Sequence, residues 1–130
     1  MLLDTNIYRA FLDQDNRVAA QLKQTETMTL PLAVVAEIQK GFLGGKRRQE
    51  NESRLQQFMS DGEVGIALPT VQTADCFAEL WLYCRTRGRA LSDNDLWVAA
   101  TALETGEPLL TLDKDFAVFI DYPGMSVIVL

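Results

Sequence analysis

The sequence predicts an α/β fold, a three-layer sandwich in which a mainly parallel central sheet is flanked by helices. Short apolar runs suited to strands alternate along the chain with longer helical patterns, as is typical of parallel sheets. The runs at 109–110 and 127–130 are apolar throughout, as in a sheet that is covered on both faces. The chain has 130 residues, a usual length for one domain, so we expect 1–130 to fold as a single domain.

The first half of the chain contains three predicted strands and four predicted helices. The strands are expected at 1–3, 27–30 and 63–68, and the helices after Asp4 and at 17–23, 32–40 and 46–59. Asp4 begins a polar capping segment, and apolar residues follow it at helical spacing. Pro31 ends the second strand, and Gly41 lies near the end of the helix that follows. Residues 42–45, which include two glycines, are expected to form a turn.

The second half contains two predicted helices and two predicted strands. After a turn at Pro69, helices are expected at 73–86 and 92–105, and Gly88 and Gly106 stop them. The strands are expected at 109–112 and 127–130. The segment 96–103 has Thr101 as its only polar residue, so its helix should be buried on most sides.

The absence of histidine excludes several kinds of active site. Without it the chain has no Ser-His-Asp or Cys-His nucleophile, no histidine-bound zinc and no histidine general base. The chain has 12 basic and 18 acidic residues and a net charge of −6, which argues against nonspecific coating of DNA. An enzyme that acts on nucleic acid through carboxylate-bound cations stays compatible with this charge, because the ions change the local sign.

The two cysteines are expected to be free thiols. Cys76 and Cys84 lie eight residues apart in one helical pattern, which separates them by ~12 Å along the helix axis. A disulfide requires Cα atoms within ~7 Å of each other. No run approaches the ~18 apolar residues of a membrane span, and the N-terminus lacks a basic signal segment. We therefore expect a cytoplasmic protein without membrane contact.

Four acidic residues from distant segments are expected at the carboxyl edge of the sheet. Asp4 and Asp113 directly follow predicted strands. Glu37 lies early in the helix that leaves the second strand, and Asp95 lies in the first turn of the helix that leads to the 109–112 strand. Ligands of open parallel sheets bind at this edge.

Such a group of carboxylates favours a metal site. Two unit charges ~4 Å apart repel by ~4 kcal/mol at an effective dielectric constant near 20. Divalent cations offset this repulsion, and an all-oxygen site suits Mg²⁺ or Mn²⁺. Two such ions can activate a water and stabilise the leaving oxygen in phosphodiester hydrolysis.

Each acidic residue also has a simpler interpretation when it is taken alone. Asp4 could cap a helix, and Asp95 could complete a capping box that begins at Ser92. Glu37 could be a solvated helix residue, and Asp113 could belong to a polar loop. Only their combination at one edge points to a catalytic site.

The whole chain resembles the PIN-domain family, and within it the VapC-type toxins of bacterial and archaeal toxin–antitoxin pairs. The resemblance lies in four pieces whose order and spacing cover almost the whole chain. They are 2–6 (LLDTN), the helical Glu37, 95–102 (DLWVAATA) and 110–116 (LTLDKDF).

The resemblance implies a Mg²⁺- or Mn²⁺-dependent ribonuclease that cleaves RNA and has a parallel sheet. The family's four acidic positions would be taken by Asp4, Glu37, Asp95 and Asp113, all catalytic and metal-binding. Asp115 would be a substitute or helper metal ligand for Asp113. Asn6 and Thr111 would orient carboxylates or water, and Asp93 would be a cap or an outer residue of the site. The family's usual partners are a small cognate antitoxin and a second copy of the toxin in a homodimer.

Two basic clusters are candidates for contact with RNA phosphates. Lys46, Arg47 and Arg48 lie beside a glycine turn and are the predicted RNA-binding residues. The second cluster, Arg85, Arg87 and Arg89, ends a helix, where cations are favoured without any ligand.

Two other functions compete with the ribonuclease. A phosphatase with an aspartate nucleophile would need a second Asp two residues after Asp4, where Asn6 stands, and would give Glu37 no role. A non-catalytic PIN-like interaction module would not need all four acidic residues.

Overall fold

The computed structural model describes all 130 residues and contains a five-stranded parallel sheet with six α-helices around it. The strands are β1 (Leu2–Leu3), β2 (Thr29–Pro31), β3 (Gly65–Ala67), β4 (Leu109–Thr111) and β5 (Val127–Val129). The helices are α1 (Thr5–Leu12), α2 (Asn16–Lys23), α3 (Leu32–Leu43), α4 (Arg48–Asp61), α5 (Val71–Thr86) and α6 (Asp93–Thr105), and a 3₁₀ helix spans Lys114–Phe119. The predicted α/β class with a parallel sheet is confirmed.

The order of the strands creates a switch point at the centre of the sheet. The order is β3-β2-β1-β4-β5, and every neighbouring pair is parallel. The chain therefore builds one half of the sheet from β1 outward through β2 and β3, and then crosses to β4 on the other side of β1. Leu2 lies opposite Leu109, and Leu3 lies opposite Leu110. Residues that follow β1 and β4 thus meet at the carboxyl edge, where crevices form in sheets of this kind.

The central strands are fully covered, as their apolar runs predicted. Leu2, Leu3, Leu109 and Leu110 have no exposed surface. The edge strand β3 differs, since Ile66 is 45% exposed. The predicted burial of α6 is confirmed along its apolar segment, because Val98, Ala99 and Ala100 are inaccessible to solvent and Thr101 is buried.

Helix α3 is longer than predicted. The segment 42–45 is expected to be a turn, but α3 continues through Leu43 and ends at Gly44. Phe42 lies one helical turn after Ile38, and both side chains are buried on the core face of the helix. Burial of an aromatic side chain stabilises the last turn more than the nearby glycines destabilise it.

Several other boundaries shift by one to three residues. Helix α4 starts at Arg48 rather than residue 46 and runs to Asp61. Helix α5 starts at Val71 because Thr70 caps it and Thr73, the predicted start, already bonds back to the Thr70 amide. The strands are shorter than their apolar runs, with β2 displaced to include Pro31. No helix is both long and apolar enough to cross a membrane.

The 3₁₀ helix was not predicted. It places Phe116 and Phe119 three residues apart with neither exposed, which is the spacing at which 3₁₀ side chains align. Cys76 and Cys84 are both free thiols, as expected from their separation.

Candidate active site

Asp4 occupies the switch point of the sheet, and three hydrogen bonds from residues of α1 and β4 hold its carboxylate. It follows β1 and caps α1, and its Oδ1 accepts from the Thr5 amide at 2.7 Å. Its Oδ2 accepts from Asn6 Nδ2 at 2.8 Å and from Thr111 Oγ1 at 2.7 Å. Only 5% of Asp4 is exposed, so its carboxylate is both buried and fixed in orientation.

Burial raises the pKa of Asp4 above its ordinary value. The hydrogen bonds from Thr111 and from the Thr5 amide act in the opposite direction. The negative charges of Asp95 and Glu37 raise the pKa further, so both carboxylates lie within electrostatic reach. Carboxylates from α3 and α6 therefore act electrostatically on the residue that follows β1.

Asn6 and Thr111 tie the end of β1 to the end of β4. Asn6 Nδ2 also donates to Thr111 Oγ1 at 3.1 Å, and Asn6 Oδ1 accepts from the Leu112 amide at 2.9 Å. Thr111 is fully buried, and its Oγ1 accepts from the Asp113 amide at 2.9 Å. These bonds fix the orientation of the Asp4 carboxylate, and they set the path of the chain that carries Asp113.

Glu37 is engaged by residues of two other helices, unlike a solvated helix residue. Its Oε2 accepts from Thr5 Oγ1 at 2.8 Å and from Asn94 Nδ2 at 2.9 Å. Arg9 approaches the other carboxylate oxygen, with Nη2 at 4.0 Å from Oε1. Helix α3 thus presents Glu37 to the starts of α1 and α6.

Asp95 lies in the first turn of α6, but the cap of that helix is Ser92. The Ser92 hydroxyl oxygen accepts from the Asp95 amide at 3.2 Å. The reciprocal bond, in which the Ser92 amide would donate to the Asp95 carboxylate and complete a capping box, is not formed. The Asp95 carboxylate therefore does not act as the cap of α6.

The pKa of Asp95 is raised, first by burial and then by neighbouring charges. The hydrogen bond with Ser92 lowers it, whereas the charges of Asp113, Glu37 and Asp115 raise it. Asp95 therefore lies within electrostatic reach of Glu37 on α3 and of Asp113 and Asp115, which follow β4.

The remaining predicted site residues are Asp113 and Asp115 after β4, Asp93 at the start of α6, and the basic residues that follow α3. Asp113 caps the 3₁₀ helix, and its Oδ1 accepts from the amide of the exposed Asp115 at 2.9 Å. Asp93 lies in the first turn of α6, where it is exposed and makes no side-chain hydrogen bond or ion pair. The loop with Lys46 begins after α3, ~9 Å along the helix axis from Glu37.

Three residues at the site were missed by sequence reasoning. They are Thr5, Arg9 and Asn94, which all contact Glu37. Asn94 precedes Asp95 and Thr5 follows Asp4, so their positions beside predicted acidic residues were the only signal.

The donor set has the chemistry that hard divalent cations require. Every candidate ligand is a carboxylate, and the neighbours that hold them are neutral hydroxyls, amides and one arginine. In this side-chain arrangement, no three acidic or cysteine side chains are close enough to enclose one ion. The carboxylates thus form a loose group, whose mutual repulsion a cation would relieve.

Comparisons with known proteins agree with this architecture. A model of the PIN domain matches residues 1–120. Toxin FitB of Neisseria gonorrhoeae is 31% identical, with 92% of this chain and 96% of that protein covered. Ribonuclease VapC5 of Mycobacterium tuberculosis is 24% identical, with 98% and 93% covered.

A solved structure gives the same fold over nearly the whole chain. The toxin–antitoxin complex VapBC2 of Rickettsia felis, bound to a promoter DNA fragment, superposes with a TM-score of 0.84 at 23% identity and covers 99% of this chain and 97% of its own. The expected resemblance is confirmed: this chain belongs to the PIN-domain family.

Proposed function

We propose that this protein is a metal-dependent endoribonuclease and the toxin of a type II toxin–antitoxin pair. The observation that carries the proposal is that hydrogen bonds link the segments of Asp4, Glu37, Asp95 and Asp113. Thr111 bonds both the Asp4 carboxylate and the Asp113 amide. Glu37 bonds Thr5 and Asn94, which are the neighbours of Asp4 and Asp95 in the sequence. Four separate segments supply these carboxylates, and a helix cap or a solvated surface would not require them together. The names of the relatives, Ribonuclease VapC5 and Toxin FitB, support the same function.

The four carboxylates would hold Mg²⁺ or Mn²⁺, with Asp115 as an additional ligand. A cation bound there supplies an activated water and stabilises negative charge on the leaving oxygen of a phosphodiester. Asn6 and Thr111 keep the buried Asp4 carboxylate in one orientation. Thr5 and Asn94 do the same for Glu37. Asp93, at the start of α6, would be a cap or an outer residue of the site that does not bind the cation itself.

Lys46, Arg47 and Arg48 are proposed to contact RNA at the start of α4. All three are exposed, and Lys46 and Arg47 make no ion pair. Arg48 bonds Glu52 at 2.8 Å one helical turn away, which leaves it a weaker candidate than the other two. Their replacement by Ala should weaken RNA binding and flatten its salt dependence, and an unchanged salt slope would make them ordinary surface residues.

We further propose that a cognate antitoxin binds the protein and that the toxin forms a homodimer. Several structures with this fold are toxin–antitoxin complexes by name, among them VapBC2 of Rickettsia felis and FitAB. A short upstream reading frame for a DNA-binding protein would support the pairing. The free thiols of Cys76 and Cys84 fit the reducing cytoplasm in which we place the protein.

The decisive experiment is cleavage of single-stranded RNA by the purified protein. We expect cleavage with Mg²⁺ or Mn²⁺, none in EDTA, and recovery when metal is added back. Asp4→Asn removes the central carboxylate and should leave no activity with either metal, which excludes a contaminating nuclease. Full activity in excess chelator would contradict the metal mechanism.

A chromogenic phosphomonoester, tested in parallel, distinguishes the phosphatase. That activity would need a second aspartate where Asn6 bonds both Asp4 and the Leu112 amide. Phosphomonoester hydrolysis without RNA cleavage would replace the ribonuclease by a phosphatase. If the folded protein shows neither activity, the non-catalytic interaction module is the function that remains.

A further inference from the structure

A groove lies beside the candidate active site, between the end of α5 and the 3₁₀ helix. Its volume is about 540 Å³, within the ~300–1,000 Å³ of ligand pockets. Arg87 and Arg89 line one wall, and Lys114 and Asp115 line the other. Asp121 lines the groove as well, so three cations face two carboxylates there. The groove is therefore net positive on a molecule whose net charge is −6.

The cations of the groove are not neutralised by ion pairs. Neither Arg87, Arg89 nor Lys114 takes part in any of the five ion pairs of the protein. In the other basic cluster, by contrast, Arg48 is paired with Glu52. Three unpaired cations in one concave surface attract an anion, and they would repel one another less when it is bound.

Arg87 is held in place by aromatic side chains. Its guanidinium carbon lies 3.4 Å from the centre of the Tyr83 ring. Tyr83 in turn packs edge-on against Tyr122, with ring centres 4.7 Å apart. Arg87 Nη1 also donates to the Tyr83 carbonyl and to the Thr86 hydroxyl, both at 3.5 Å. The other N–H groups of the stacked guanidinium stay available for phosphate oxygens, and its outer face stays available for an unstacked base.

The groove and the candidate active site share a wall. Asp115 lines the groove, and its amide bonds the Asp113 carboxylate at 2.9 Å. The charge of Asp115 also reaches Asp95. A chain of phosphates lying in the groove would therefore run directly into the group of carboxylates.

We propose that this groove binds the backbone of single-stranded RNA on one side of the bond that is cut, with Arg87, Arg89 and Lys114 contacting phosphates. The inference rests on the proposed ribonuclease function and names the residues that hold its substrate. It gives Arg87 and Arg89 of the second basic cluster a role beyond stabilising the C-terminal end of α5.

The test measures binding of a fluorescent single-stranded RNA to the full-length protein in EDTA, across a range of salt concentrations. We compare wild type with Arg87→Ala, Arg89→Ala and the double variant. Each arginine should contribute about 0.7 to the slope of log K against log salt, so the double variant should lose about 1.4. We expect its affinity at low salt to fall by about tenfold, the order of one or two lost charged hydrogen bonds.

Arg85→Ala is the matched control. Arg85 lies at the same end of α5 and carries the same charge, but it does not line the groove. Its guanidinium carbon lies over the Trp81 ring, 5.1 Å from the ring centre. It should keep the wild-type affinity. Because loss of the Tyr83 contact could unfold the end of α5, Arg87→Lys and Arg89→Lys are combined as a second variant, which should retain the salt slope.

The outcomes separate this inference from the proposed function. RNA bound by the groove but not cleaved in Mg²⁺ or Mn²⁺ would contradict the ribonuclease and leave the groove standing. Equal affinity of wild type and double variant, no RNA binding by wild type, or an equal loss in Arg85→Ala would each overturn the inference. Preferential binding of polyglutamate would assign the groove to an acidic protein segment and overturn it as well.

Discussion

At the scale of single residues, the folded protein disfavours the charge that its candidate site requires. Burial and three neighbouring carboxylates raise the pKa of Asp95 above its ordinary value of 3.8. The folded state therefore holds the Asp95 proton to a higher pH than the unfolded chain does. Consequently, the free energy of unfolding falls as the pH rises from about 3.8 through the raised pKa. At neutral pH the ionised Asp95 carboxylate destabilises the folded state by the full amount.

Asp95→Asn tests whether this carboxylate is a metal ligand or a helix cap. Asn keeps an acceptor oxygen but not the charge, so the metal-free variant should melt no lower than wild type at pH 7. Any gain in Tm should shrink as the pH falls toward 3.8. RNA cleavage should fall by about 100-fold or more. Even the loss of a residue that only hydrogen-bonds a metal ligand lowers activity by ~10–100-fold. Melting curves in EDTA and cleavage rates check both parts.

The comparison variant is Asp93→Asn, which removes the same charge two residues earlier. Asp93 is exposed and unbonded, so this change should cost far less activity. A destabilised Asp95→Asn protein that still cleaves RNA near the wild-type rate would make Asp95 a cap.

At the scale of secondary-structure elements, the side chain of Asn6 joins α1 to the segment that follows β4 through hydrogen bonds. Its side chain makes three hydrogen bonds, to Asp4, Thr111 and the Leu112 amide. Asn6→Ala should lower the free energy of unfolding by about 1–3 kcal/mol, because the Leu112 amide and the Asp4 carboxylate lose partners. Cleavage should fall by about 10–100-fold. Urea unfolding and cleavage rates measure the two effects.

Asn6→Asp and Asn16→Ala serve as controls for this prediction. Asn6→Asp keeps the acceptor for Leu112 but sets a second charge against Asp4, so its destabilisation should be larger at pH 7 than at pH 4. Asn16 is exposed and makes no side-chain bond, and its replacement should change little. An Asn6→Ala protein with wild-type stability and activity would remove Asn6 from the site.

Most elements could be predicted because their patterns are local, and the exceptions depend on tertiary contacts. The capping residues and apolar spacing of α2 and α6 set their bounds nearly correctly. The end of α3 depends on where Phe42 packs, and the 3₁₀ helix is too short for a periodic signal. The four acidic residues followed from topology alone. Thr5 and Asn94 did not, because their bonds to Glu37 join segments 32 and 57 residues apart.

At the scale of the whole molecule, one continuous core supports the sheet and the site together. The 24 buried apolar residues form a single cluster that includes side chains from β1, β2, β4 and all six helices. We therefore propose that residues 1–130 are one domain. A mutation of the core should then affect the carboxyl edge as well.

Thermal unfolding with and without metal tests the domain and the metal site in one measurement. One cooperative domain predicts a single transition, at the same temperature by far-UV circular dichroism and by tryptophan fluorescence. Because a cation would bind only the folded group of carboxylates, Mg²⁺ or Mn²⁺ should raise the Tm, with about 2.7 kcal/mol gained at 100 times Kd. Asp4→Asn and Asp95→Asn should lose this shift, whereas Arg85→Ala should keep it. Two separate transitions would divide the chain into domains, and an equal shift in all variants would place the metal elsewhere on this acidic protein.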